Sequence, residues 1–162
     1  MSSRELLEQY AAGAEKLALA IRGLTREDLL AVPDPSSGVG KWSIQQVLRH
    51  LADTDTVYAD RMKWVISEEN PPLPGFDQEK WATALRYADQ SGEDAMKLIE
   101  LTRRQMSTIL RGLPDASFER AGQHSERGRV TLRDLLRYMV EHLEHHVKFI
   151  HSKRARMGKE MW

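Results

Sequence analysis

The sequence contains no cysteine, which excludes disulfides, thiolate metal ligands and a cysteine nucleophile together. Any metal site must therefore use nitrogen or oxygen ligands. Excess charge of either sign is also missing: Lys and Arg total 24, and Asp and Glu total 24. Without a global positive field to neutralise phosphates, nucleic acid is not expected as the main partner. No segment approaches the ~18 consecutive apolar residues of a membrane span. The opening Met1-Ser-Ser-Arg-Glu-Leu-Leu-Glu lacks the ~7–15-residue apolar stretch of a signal peptide. The expectation is a cytoplasmic protein with no membrane partner. At 162 residues with 41% hydrophobic content, the chain fits one domain over 1–162.

Convincing two-residue alternation is missing too, and what is present is helical periodicity between breakers. Leu6, Leu7, Tyr10, Leu17, Ala20, Ile21 and Leu24 recur at three- and four-residue spacings, which predicts a first helix over about 3–24. Thr25-Arg-Glu-Asp28 starts a short turn of helix that Pro33 and Pro35 stop. Ser43 and Gln46 form a capping box, with Trp42 placed to staple onto Val47, so a second helix runs to about Glu68. Asn70-Pro-Pro-Leu-Pro-Gly75 then forces an extended crossing, and a minor helix begins at Asp77-Gln-Glu-Lys-Trp81. A third long helix is expected over about 89–112 and a polar loop with a small hairpin over 118–130. Thr131 and Asp134 start a last helix over about 132–156. Four long helices with apolar stripes and a long crossover make an all-α four-helix bundle the expected fold.

Six histidines stand at 50, 124, 142, 145, 146 and 151. At about 100° per residue, His146 falls inside the apolar stripe of the last helix and His142 on its edge, whereas His145 points away. Periodicity thus selects the i, i+4 pair His142 and His146, a spacing that suits two ligands on one metal ion. A zincin-type protease is excluded, because Leu143 stands where that motif needs a glutamate. On the second helix His50 lies on the flank. Asp55 falls in the middle of the apolar stripe, where a carboxylate needs a partner. It can bond an imidazole and orient it, or pair with an arginine.

These features resemble the DinB/YfiT-like superfamily of bacterial four-helix bundles over most of the chain. Four stretches carry the resemblance: Lys41-Trp-Ser-Ile-Gln-Gln-Val-Leu-Arg-His50-Leu-Ala-Asp-Thr-Asp55, Pro71-Pro-Leu-Pro-Gly-Phe-Asp-Gln-Glu-Lys-Trp81, Gly128-Arg-Val-Thr-Leu-Arg-Asp134 and His142-Leu-Glu-His-His146. The family places one metal histidine in a Trp-Ser/Thr…His-x-x-Asp stretch and two in the final helix. The resemblance therefore implies His50, His142 and His146 as ligands of a divalent ion, zinc or nickel, often in a homodimer. Some relatives in that family are S-transferases using a low-molecular-weight thiol and many have no established reaction, so the chemistry stays open: on a small-molecule substrate a metal-bound thiol would serve a transferase and a metal-bound water a hydrolase. With no cysteine in the chain, that thiol would arrive as a cosubstrate.

Three imidazoles leave a tetrahedral ion one exchangeable position, the arrangement of catalytic sites. Asp55 is the candidate orienting group, and Phe76 and Trp81 are candidates for the approach, although ordinary core capping explains the two aromatics as well. Tyr58 reads as core. The alternative is a non-catalytic metal-binding stress-response or dimeric interaction protein, with a fourth protein ligand such as His124 closing the site and Met161 and Trp162 offering contacts. Lys153, Arg154, Arg156 and Lys159 read as a solvated helix end that complements the macrodipole.

Overall fold

Ser43 and Thr131 each start a long helix by reciprocal capping. In the computed structural model, which describes residues 1–161, Gln46 N–H donates to Ser43 Oγ (3.2 Å) and Ser43 N–H to Gln46 Oε1 (2.9 Å). Asp134 N–H and Thr131 Oγ1 form the matching pair at 3.0 Å. The helices they launch are α4 (Ile44–Ser67) and α7 (Leu132–Arg156). Before them come α1 (Ser3–Ala11), α2 (Gly13–Ala20) and α3 (Arg26–Leu30), and between them α5 (Gln78–Ala84) and α6 (Gly92–Arg111). Trp42 packs on the apolar cluster that contains Val47, as the staple requires. Helix α4 lies against α6 and α7, and α1 with α2 lies against the same two, so four rods form the expected bundle.

The first rod is two helices rather than the single one predicted over 3–24. The interruption falls where Arg103 of α6 enters the bundle. Its Nη1 donates to the Tyr10 carbonyl at 3.0 Å, and a Cβ on Gly13 would stand 2.2 Å from that nitrogen. The chain therefore yields locally to a side chain from another helix, which no local propensity reports.

Arg103 is 2% exposed and Asp55 is 1% exposed. Two bonds join them, Nε to Oδ2 at 2.7 Å and Nη2 to Oδ1 at 3.0 Å. A longer contact runs from Nη2 to the Met139 carbonyl (3.5 Å), and the guanidinium lies over the Tyr10 ring (4.5 Å). Burial works against the Arg103 charge, and the facing carboxylate more than offsets it. This polar layer separates two apolar clusters. One holds Leu6, Tyr10, Met62, Met106 and Leu136; the other holds Leu17, Leu48, Ile99, Leu143 and Ile150.

The expected hairpin is present as β2 (Ala121–His124) and β3 (Gly128–Thr131), and the crossover adds β1 (Pro72–Leu73), parallel to β2. A Cβ on Gly122 would meet Leu73 and the Pro71 carbonyl at 2.8 Å, so glycine is what lets the crossover strand approach. The basic end of α7 departs from expectation: Lys153 and Arg154 are buried rather than solvated. Lys153 donates to the Val39 carbonyl, and Arg154 Nη1 to the carbonyls of Ala20 (3.1 Å) and Arg22 (2.7 Å), binding orphan acceptors at the end of α2. Met161 is exposed; Trp162 lies outside the described residues.

The buried pair yields a stability prediction. Asp55→Leu and Arg103→Met each strand the partner's charge and should each cost about 3–5 kcal/mol in urea unfolding. Arg103→Met combined with Asp55→Leu leaves no unpaired charge and should cost less than the two single effects added. Additive losses would show that the pair is not coupled.

Candidate metal centre

Helices α4 and α7 present three imidazoles to one another across their seam. His50 comes from α4, and His142 and His146 from successive turns of α7. Ring centroids lie 4.9 Å apart for His50 and His142, 4.8 Å for His50 and His146, and 4.6 Å for His142 and His146. One nitrogen from each ring falls within 4.8 Å of the other two. The Nε2 atoms of His50 and His142 are 3.0 Å apart, comparable to the about 3.4 Å between two tetrahedral ligands on a zinc ion with bonds of about 2.0–2.1 Å.

The surroundings keep these rings neutral. Burial pushes His50 down to about 4, opposed in part by the nearby carboxylates of Asp53 and Glu79. Burial, followed by the charges that His146 and His50 would carry, pushes His142 down to about 2. Burial and then His50 push His146 down to about 3. Neutral imidazoles keep a lone pair available, and three nitrogen donors suit a divalent transition-metal ion. The Nδ1 atoms of His50 and His142 are buried without a partner, so no hydrogen bond on that side fixes the tautomer. Among the described residues no fourth His, Cys, Asp or Glu joins the group.

Aromatic rings wall the cluster. Trp42 lies 5.1 Å from His50, and Tyr138 stacks on His142 at 5.5 Å with 15° between the planes. A cavity of about 260 Å³ reaches His146 between Trp42, Phe149, Glu79 and Lys153. His145 is exposed and outside the group. His124 sits in the hairpin, where its Nδ1 accepts the N–H groups of Glu126 (3.1 Å) and Arg127 (3.2 Å), and it does not join the group. Asp55 does not orient an imidazole: both its oxygens are taken by Arg103. Phe76 and Trp81 pack together (4.6 Å) on a separate cavity of about 270 Å³ that includes Arg61.

Two residues near the histidines were given no role from sequence, although Asp53 is the aspartate of the His-x-x-Asp stretch. Asp53, three positions after His50, is the carboxylate whose charge reaches that ring; it accepts from Tyr87 Oη (2.7 Å) and Arg49 Nη2 (3.1 Å). Tyr138 stands four residues before His142, a spacing that could have flagged it.

A four-helix bundle with three neutral histidines converging from two helices defines the class. A family model described as the DinB superfamily matches residues 9–150; the chain belongs to that superfamily. It is 30% identical over 157 residues to YfiT of Bacillus subtilis, covering 95% of this chain and 83% of that one. It is also 32% identical over 119 residues to a proposed metal-dependent hydrolase of Oceanobacillus iheyensis, covering 74% of this chain and 69% of that one. The solved structure of B. subtilis YfiT, described as a probable metal-dependent hydrolase with an unusual four-helix bundle topology, superposes with a TM-score of 0.86 at 25% identity, over 96% of this chain and 87% of that one. Among the described residues no helix is long and apolar enough to cross a membrane.

The depressed histidines predict a pH dependence for metal-free protein. Their folded values lie below the unfolded value of 6.5, so the unfolded chain takes up protons first as pH falls. Their contribution is full above pH 6.5 and is lost as pH drops toward 4 and below. After chelation, the urea midpoint of the wild type should fall over this window more steeply than that of His142→Leu. Equal slopes would contradict buried neutral rings.

Proposed function

We propose that this protein is a divalent-metal-dependent hydrolase of small molecules, with zinc or nickel held by His50, His142 and His146. The observation that carries the reading is the convergence of three neutral imidazole nitrogens, with no fourth His, Cys, Asp or Glu joining them among the described residues. The names of the relatives support the same reaction class. When bound, such an ion supplies Lewis acidity that activates a water or a thiol near neutral pH. The chain's own contribution is positional. Burial keeps the imidazoles unprotonated, the Trp42 and Tyr138 rings limit water around them, and the cavity beside His146 gives a substrate its route.

Transfer of a low-molecular-weight thiol is the finer reading that the same centre supports. The absence of cysteine requires that thiol as a cosubstrate. A cytoplasmic homodimer built from one domain over 1–162 completes the proposal: the length and the lack of a long apolar segment support the domain and the location, and the family resemblance supports the homodimer. A non-catalytic metal protein is the rival, and it requires a closed coordination shell.

Elemental analysis of tag-free protein tests the reading. Wild type and His145→Ala should carry about one zinc or nickel per chain, and His50→Ala, His142→Ala and His146→Ala below about a tenth of that. Metal-loaded wild type should hydrolyse members of an ester and amide panel, or conjugate a thiol to an electrophile, and lose the activity on chelation. A wild type that cannot be loaded with either metal refutes the proposal; a loaded protein inert in both assays favours the non-catalytic rival.

A further inference from the structure

Beyond the histidines, the same flank of α4 carries an arginine with no acidic partner. At about 100° per residue, Val57 and Arg61 fall within about 20° of His50. Arg61 thus continues the histidine seam toward the crossover and the hairpin. It is 4% exposed, and its one close hydrogen bond runs from Nη2 to the Pro74 carbonyl at 2.6 Å. Its Nε is buried without a partner among the described residues. Among the described residues no carboxylate lies within ion-pair distance of it, although Asp60 borders the same cavity. Burial works most against its charge; Tyr58 supports that charge, and Arg127, of its own sign, opposes it.

A buried charge is ordinarily paired, as Arg103 is in this same molecule. Here a second arginine is brought closer instead. Arg127 Nη2 donates to Tyr58 Oη at 2.9 Å, and the guanidinium lies over the Tyr138 ring at 5.2 Å. Arg61 lies over the same Tyr58, 4.7 Å from its ring, and 6.0 Å from Phe76. Aromatic faces hold a guanidinium plane while leaving its N–H edge for a planar or tetrahedral anion. His124 adds a neutral donor. Because its Nδ1 accepts two backbone N–H groups, its proton sits on Nε2, and it feels both arginines.

We propose that Arg61 and Arg127 form an anion-binding subsite at the crossover end of the histidine seam, and that the substrate carries a carboxylate or phosphate group held there. The subsite meets the imidazoles through stacked rings, Tyr58 on Tyr138 and Tyr138 on His142. The part of the proposal that concerns the substrate rests on the metal-dependent reading above; the anion site itself does not.

The test is titration of the full-length protein with inorganic phosphate and, separately, with succinate, in metal-loaded and chelated forms. The readouts are the arginine Nε–H resonances and the fluorescence of Trp64 and Trp81, which border the Arg61 cavity. Saturable binding is expected, weakened at least about ten-fold in Arg61→Gln and in Arg127→Gln through loss of a charge-assisted fork. Arg127 is exposed, so its variant keeps the test valid if the Arg61 variant does not fold. Saturation by phosphate alone assigns a phosphate ester, and by succinate alone a carboxylate. Absence of saturation by either probe, or unchanged affinity in Arg127→Gln, overturns the proposal. Metal content on the same samples separates the two readings: anion binding by a protein that takes up no metal leaves the subsite standing and removes the hydrolase.

Discussion

The bundle is organised around one buried ion pair. Arg103 extends from α6, grips both oxygens of Asp55 on α4, and reaches carbonyls of Tyr10 and Met139 on the two remaining rods. Apolar side chains can slide past one another at modest cost, but a guanidinium with fixed donor directions cannot, so this layer sets the relative heights of the helices. Met139 stands three residues before His142, and Asp55 five after His50. Holding those two levels together holds the Nε2 atoms of His50 and His142 at 3.0 Å. The same guanidinium also adds its positive charge to the influences that keep His142 unprotonated. Architecture and the readiness of the imidazoles for a cation thus share a cause.

Around the histidines the protein is asymmetric. The end near His146 opens on a largely apolar cavity with Trp42 and Phe149 in its wall, whereas the end near His142 leads past Tyr138 and Tyr58 to two arginines. Asp53 borders the centre on a third side, and its Tyr87 bond ties α4 to the segment just before α6. An apolar surface, the three imidazoles and a positive edge thus follow one another along one seam.

The long helices were legible in the sequence because each carries its own local signals. Apolar spacing marked the rods, and Ser43 with Gln46 and Thr131 with Asp134 marked two starts to the residue. Periodicity also separated His142 and His146 from His145 without knowledge of any neighbour. What was missed depends on partners distant in the chain. The break at Ala12 is made by Arg103, and the choice of Asp55 between imidazole and guanidinium is made by α6. Lys153 and Arg154 read as a solvated end because the carbonyls they bind belong to residues more than a hundred positions away. The sheet was only partly visible, since strands of two to four residues are too short to show alternation.

This division bears on how the superfamily can keep one centre and vary its chemistry. The three histidines lie on α4 and α7, whose spacing is fixed by the core and by the Arg103 layer. The groups that would contact the rest of a substrate come largely from elsewhere. Phe76 and Trp81 belong to the crossover and Arg127 to the hairpin turn, and Arg61, although on α4, is positioned by the Pro74 carbonyl of the crossover. The hairpin is clasped to that crossover by the Gly75 N–H donating to Ser125 Oγ at 2.9 Å, so the two segments act as a single wall. Substitution in them alters what is bound without disturbing the helices that hold the histidines, because neither supplies a side chain to the Arg103 layer. A bundle of this kind holds the three imidazoles in place from its core and leaves the surfaces around them to its connections, so on the proposed reading a substrate would be recognised by Arg61, Arg127 and the aromatic rings beside them.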